Sequence, residues 1–215
     1  MKVISVNVGL PREVMWKGKT VTTGIFKEPV AGRVALDALN LAGDRQADLR
    51  VHGGPDKAVY VYPVEHYDYW RGELPGVELP FGAFGENLTV EGLLENEINI
   101  GDRFRIGTTE LVVRQPRLPC YKLAVKFQRD DIIKRFLDSR RTGFYFAVTR
   151  EGELGAGDRI EILTRDPNGV TVPDIVRLYL NGDEDPDGLA RAANVDALPD
   201  NWKTHFADQL ARLQA

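Results

Sequence analysis

Two short echoes constrain the fold more than any other feature of the sequence. Gly101-Asp102-Arg103-Phe104-Arg105-Ile106 and Gly157-Asp158-Arg159-Ile160-Glu161-Ile162 share the pattern Gly-Asp-Arg-apolar-x-Ile. Each reads as a turn feeding an alternating strand. Two copies do not make a solenoid; they point to a barrel-like sheet whose strands begin from similar turns. Residues 2–9 alternate as a half-buried strand does, with Ile4, Val6 and Val8 on one side. Residues 20–25, 34–36, 84–90, 110–114 and 142–148 read as further strands. Residues 64–71 and 130–139 read as helices, the second with an Ile132, Ile133, Phe136, Leu137 stripe and charges that suit the helix dipole.

The character changes after Asp166-Pro167-Asn168-Gly169. Residues 175–180, 187–194 and 201–213 read as three helices, with Asp174, Asp187 and Asp200 as their caps. The expected architecture is therefore mixed α/β, mainly β: a β-barrel-containing domain over 1–167 and a small three-helix domain over 168–215. So short a helical tail needs the main domain, or a second copy of the chain, to cover its apolar faces. A homodimer is thus one of the open assemblies.

Composition removes several classes of function. The chain has 215 residues and a net charge of −4, which argues against a general nucleic-acid binder. No run of eighteen apolar residues is present, so no membrane span is expected. The first residues resemble a strand rather than a signal peptide, and a single cysteine rules out an internal disulfide. A cytoplasmic protein is expected. The charge is uneven: residues 114–141 hold nine Lys/Arg against three Asp/Glu, which leaves the remainder at −10. A basic region in an acidic protein suits a small anionic ligand such as a phosphate-bearing cofactor, although a solvated helix face gives the same pattern.

The lone cysteine, Cys120, lies in that basic region, in Val113-Arg114-Gln115-Pro116-Arg117-Leu118-Pro119-Cys120-Tyr121-Lys122-Leu123. Two prolines stiffen the approach to it, and neighbouring cations favour a thiolate, which is both nucleophile and soft metal ligand. A second concentration of polar groups surrounds His52-Gly53-Gly54-Pro55-Asp56-Lys57, where paired glycines allow a ligand close to the main chain. Glu86 and Asn87 follow Gly85 and can project into a pocket. Dinucleotide-fold and P-loop glycine motifs are missing, as is the serine-hydrolase elbow. With one Cys and three His a structural zinc site is not expected. A cysteine hydrolase pairing Cys120 with His52 stays open. One thiolate cannot hold a metal alone, so further ligands would have to come from a cofactor.

The ordered set His52-Gly53-Gly54-x-Asp56-Lys57-Ala58-Val59-Tyr60, Phe84-Gly85-Glu86-Asn87-Leu88, Ile100-Gly101-Asp102, Pro116-Arg117-x-Pro119-Cys120-x-Lys122-Leu123 and Thr142-Gly143-Phe144-Tyr145 resembles the MOSC domain. That name comes from the C-terminal domain of molybdenum-cofactor sulfurase. The helical tail resembles the 3-alpha domain of the bacterial YiiM-like branch. The resemblance implies a β-barrel-containing fold and a molybdenum cofactor, Mo-molybdopterin, with Cys120 as metal ligand. It implies reduction of N-hydroxylated compounds, such as 6-hydroxylaminopurine, to amines. Under it Arg117, Lys122 and Lys57 are candidates for the cofactor phosphate or pterin. Gly53, Gly54, Asp56, Glu86 and Asn87 are further cofactor-binding candidates, and His52 is a candidate catalytic proton donor. No ferredoxin-like, flavin or haem signature is present, so a separate electron-donor protein is expected. A sulfur carrier using a Cys120 persulfide and a non-catalytic cofactor-binding module are the alternatives. Pyridoxal phosphate on Lys57 or Lys122 has no local signature that demands it.

Overall fold

The computed structural model describes residues 1–48 and 53–214, without the side chain of Asp183. Among these residues, twelve strands come first in chain order, interleaved with three helices. The strands are β1 (Lys2–Val8), β2 (Arg12–Trp16), β3 (Lys19–Thr23), β4 (Glu28–Val30), β5 (Arg33–Leu36), β6 (Val59–Pro63), β7 (Leu88–Glu91), β8 (Arg103–Ile106), β9 (Thr109–Pro116), β10 (Phe144–Arg150), β11 (Gly152–Gly155) and β12 (Ile160–Thr164). The helices among them are α1 (His66–Glu73), α2 (Tyr121–Phe127) and α3 (Ile132–Ser139). Three more, α4 (Val172–Asn181), α5 (Pro186–Ala193) and α6 (Asp200–Leu213), complete the chain.

Eight strands form one sheet in the order β12-β8-β9-β10-β6-β7-β1-β4, and β11-β5 and β2-β3 are separate pairs. The fold is thus mixed α/β with one large sheet. The expected barrel is not a closed ladder. The sheet curls until the start of β1 meets the approach to β12, but only through a Lys2–Arg159 bridge and main-chain bonds from Val3 N to Asp158 O, Gly157 N to Val3 O and Ile160 N to Met1 O, at 2.8–3.1 Å. Both echoed turns do open strands of this sheet, β8 and β12, which pair with each other.

β6 explains how the two sides are filled. All five of its residues are buried, and successive side chains must point to opposite faces. Val59 and Val61 join the larger core, whereas Tyr60 and Tyr62 join an aromatic cluster with Tyr67, Trp70, Phe84 and Phe136 under α1–α3. β6 and β7 pair in parallel, which requires a crossover, and α1 lies within it.

The larger core crosses the expected domain boundary without a break. It contains Phe104, Phe144 and Phe146 from the sheet together with Val172, Ile175, Leu178, Leu189, Trp202 and Phe206 from α4–α6. The helix caps differ from the expected ones. Thr171 caps α4 in a reciprocal box with Asp174, and Asp185 caps α5. Pro199 precedes α6 with no side-chain cap. A shared core predicts one cooperative transition. Phe206→Ala should lower stability by about 3–5 kcal/mol, and helical circular dichroism and tryptophan fluorescence should shift together in a urea titration. Separate transitions would show that the helices fold on their own.

Candidate functional site

The cysteine loop leaves β9 at Pro116, which pairs with Phe144 of β10. The crossing beside it requires glycine. Gly143 has φ +65°, and a Cβ there would lie 2.4 Å from Val61 O. Its N–H donates to the Glu95 carboxylate at 2.8 Å, and Glu95 shares a second 2.8 Å hydrogen bond with His66 Nε2. Arg117 N in turn donates to Gly143 O at 3.2 Å. The loop then runs extended to Cys120, which precedes α2 with φ −123° and ψ 170°. The sequence reading had this loop but not the helix after it.

The turn of residues 53–57 docks on the same strand. Gln115 Nε2 donates to Asp56 O at 3.1 Å, and Arg114 Nε donates to Asp56 Oδ1 at 2.7 Å. Lys57 ends a single 3-10 turn, Pro55–Lys57. It lines the same two clefts as Cys120.

The first cleft, about 620 Å³ including its open mouth, lies between the 23–27 and 45–47 segments, the start of β6 and the cysteine loop. Lys27, Arg45, Lys57, Arg117 and Lys122 line it, with Asn87, Tyr60, Tyr145 and Cys120. Arg117 is 5% exposed. Its guanidinium carbon lies 5.4 Å from the Tyr60 ring centroid and 4.9 Å from that of Phe136. Its Nη1 is buried without a hydrogen-bond partner among the described residues. Burial works against that charge, while the deprotonated forms of Tyr60, Tyr145 and Cys120 would favour it, so the Arg117 pKa is raised. Burial lowers the Lys57 pKa, against the attraction of Asp56 and Cys120. Burial also lowers that of Lys27, against its ion pair with the wholly buried Asp44. Tyr60 and Tyr145 are held neutral, chiefly by burial.

The structure thus brings Cys120, Lys57, Arg117, Lys122 and Asn87 to one cleft. Asn87 also holds the local backbone in place. Its Oδ1 accepts from Tyr60 N at 3.0 Å, and its Nδ2 donates to Asp44 Oδ2 at 2.9 Å. Glu86 is elsewhere. Its carboxylate accepts hydrogen bonds from Tyr67 Oη, Gly82 N, Phe84 N and Thr89 Oγ1, so it braces the turn of residues 82–86 and lines neither cleft. The Asp56 carboxylate is committed to Arg114, and Gly53 and Gly54 line neither cleft. His52 lies outside the described residues. Lys27 and Arg45, which the sequence reading missed, carry no motif that would single them out.

The second cleft, about 1040 Å³ including its mouth, lies on the other side of the cysteine loop. Its far wall is Tyr179 of α4 with Asn201, Trp202 and His205 of α6. Trp202 Nε1 donates to Gln115 Oε1 at 2.8 Å, which fastens α6 to the strand carrying the loop. Cys120, Lys57, Leu118 and Tyr145 line both clefts.

A metal held by protein groups alone is not built here: among the described residues no three His, Cys, Asp or Glu side chains converge. What is present is one cysteine beside a cationic cleft with an unpartnered buried guanidinium nitrogen. That donor set fits an anionic organic ligand that brings its own metal donors. No helix of the described residues is long and apolar enough to cross a membrane.

Comparison with known proteins agrees with this architecture. The family model "MOSC domain" matches residues 48–161, and "YiiM-like, 3-alpha helix domain" matches residues 170–213. The YflK protein of Bacillus subtilis is 41% identical over 98% of this chain and 95% of its own. The YiiM protein of Escherichia coli is 37% identical over 84% of this chain and 81% of its own. A protein named "Reductase" from Gibberella moniliformis is 34% identical over 69% of this chain, a stretch that spans 27% of the fungal protein. The crystal structure of YiiM from Geobacillus stearothermophilus superposes with a TM-score of 0.82 at 33% identity, covering 97% of this chain and 98% of that one.

Two measurements separate structural from binding roles. Glu86→Gln places an amide nitrogen among four donors, so stability should fall by about 2–4 kcal/mol in denaturant titration. An unchanged midpoint would overturn the bracing role. Lys126 donates to Ile25 O at 3.1 Å and to Gly82 O at 2.5 Å, and burial lowers its pKa to about 8 from 10.5. Between those values the unfolded chain binds more protons than the folded one, so stability rises with pH. Relative to Lys126→Met, the wild type should gain on the order of 2 kcal/mol between pH 7.5 and pH 10. Parallel pH profiles would refute the burial of that charge.

Proposed function

Because this chain belongs to the MOSC family and carries a YiiM-like 3-alpha helix domain, we propose that it is a molybdenum-cofactor-dependent reductase of N-hydroxylated compounds. One observation carries the reading. The only cysteine opens onto a cleft lined by five cationic side chains, one of which keeps a buried nitrogen unpartnered among the described residues. The fungal relative named a reductase supports it at the level of reaction class.

In this reading Cys120 is the protein's ligand to the metal. Arg117, Lys122 and Lys57 hold the anionic parts of the molybdopterin, joined by Lys27 and Arg45. Asn87, its amide taken up by Tyr60 N, Asp44 and Asn7 O, shapes the wall of the same cleft. When bound, the cofactor supplies the electron transfer that reduces N–OH to the amine. The overall change takes two electrons and two protons and releases water. The electrons come from a separate donor protein. Lys57 stands at the wall shared with Cys120, and burial loosens its proton, so it can deliver one as the N–O bond breaks. His52 is the other proton donor in the proposal. A cytoplasmic setting belongs to the same reading.

The test is metal and pterin content after expression in a host that makes the cofactor. Wild type should carry near-stoichiometric molybdenum, and Cys120→Ser a small fraction of it. Arg117→Met should lose pterin while keeping the thiol. Reductase assays with N-hydroxylated bases should follow molybdenum content across the three proteins. Equal molybdenum in wild type and Cys120→Ser would remove the cysteine from the metal. Molybdenum in neither, with a Cys120 persulfide by mass spectrometry, would shift the assignment to sulfur transfer.

A further inference from the structure

Lys126 stands on α2, six residues after Cys120, and does not line the cationic cleft itself. Its ammonium donates to Ile25 O and to Gly82 O. The two carbonyls belong to different parts of the cleft. Thr23, Gly24, Ile25 and Lys27 line it from the strap after β3, and Phe84 and Gly85 from the turn before β7. Strap and turn lie tightly together: Gly82 has φ +85°, and a Cβ there would be 2.8 Å from Lys27 O. Phe26, between Ile25 and Lys27, has the Arg12 guanidinium carbon 3.8 Å and Lys126 Nζ 5.7 Å from its ring centroid. One ammonium therefore joins the strap, the turn and the helix that starts at the thiol. Both of its acceptors are neutral carbonyls, so its charge costs more hydration than packing alone requires.

We propose that Lys126 is a positioning residue of the anion site: it clasps the strap of residues 23–27 to the turn of residues 82–86, and an anion in the cleft and the charge on Lys126 favour each other. The charges around it give the sign. Lys27 of the strap, Arg12 of β2 and Arg117 of the cysteine loop oppose its charge, and Glu86 of the turn favours it. Burial opposes it most and brings its pKa to about 8. An anion offsets the neighbouring cations and adds its own attraction, so binding draws a proton onto Lys126 wherever the empty site has lost it. The effect is reciprocal: a charged Lys126 favours the anion by its field and by its charge-assisted bonds to strap and turn. Anion affinity through this residue is therefore greatest below pH 8 and is lost as pH rises through that value. The inference rests on the cleft being the anion site of the reading above; it does not rest on molybdenum.

The probe is sulfate, which remains a dianion from about pH 7 to pH 10 and so adds no titration of its own. Its binding to the full chain is measured by isothermal titration calorimetry at both ends of that range and at fixed ionic strength. The proteins are wild type, Lys126→Met, Lys126→Arg and Arg117→Met, each checked by a thermal melt. Arg117→Met marks the cleft and should bind sulfate poorly throughout. Lys126→Met should bind about tenfold more weakly than wild type at the lower pH and equally at the higher. Lys126→Arg, charged at both, should match wild type at the lower pH and exceed it about tenfold at the higher. Lys27 and Lys57, whose pKa values burial also lowers, titrate in all four proteins, so the ratios to wild type carry the test. A Lys126→Met ratio that is the same at both pH values assigns the lysine to packing and overturns the proposal. Should Lys126→Met melt below the assay temperature, the Lys126→Arg ratio decides, and a flat one overturns it. No sulfate binding by wild type, or binding that Arg117→Met leaves intact, removes the anion site and the clasp with it. The expected ratios in a protein that never acquires molybdenum from a cofactor-making host would keep the clasp and remove the reductase reading instead.

Discussion

The site depends on one buried side chain, Gln115. Its amide nitrogen donates to Asp56 O and its amide oxygen accepts from Trp202 Nε1. Through this residue the turn of residues 53–57, the strand that delivers the cysteine loop and the last long helix are fixed relative to one another. The amide is satisfied at both ends, so losing either partner strands a buried polar group at a cost of about 1–3 kcal/mol. Directly after it come Pro116, Arg117 and the thiol. The cysteine is therefore placed by a junction between the sheet and the helical domain rather than by its own loop.

That junction explains why the helices are not an appendage. A tail of three short helices has too little apolar area to stand alone, and here its buried faces complete the core of the large sheet. The same packing puts Tyr179, Trp202 and His205 beside Cys120. Stability and site geometry come from one contact surface, so alterations in α4 or α6 reach the chemistry without touching the cysteine loop.

Much of this was legible in the sequence, for reasons that differ by element. Apolar strands such as β1 and β10 announced themselves, although burial along them does not strictly alternate, and so did the Gly-Asp-Arg turns before β8 and β12. Cys120 stood out by being alone among cations. Arg114 illustrates what local spacing cannot give: it looked like a neighbour of the thiol but is spent on Asp56. Glu86 looked poised for a pocket because it follows a glycine, yet it is taken up by four local donors. The barrel expected from the echoed turns went too far: the sheet's ends meet only through an isolated bridge and a few long-range backbone bonds, which have no side-chain signature. The short strands β2, β4 and β11 have little periodicity to read. The contribution of α6 to the site could not be seen because it comes from eighty and more residues away.

In the basic segment, Arg129 and Arg135 are satisfied by Asp131, and Lys134 by Asp138, on the surface. These are the solvated helix face that composition alone would suggest. Arg117 and Lys122 are different: they are buried and line the cleft. Lys27 and Lys57 line it from other parts of the chain, and burial works against the charge of each. Lys27 is partly repaid by Asp44 and Lys57 by Asp56, but bringing these cations together still costs hydration and mutual repulsion. Such an arrangement costs stability by itself and favours an anion, on which the same charges act together. The chemistry of the cleft is therefore that of an anion site, whatever the anion is.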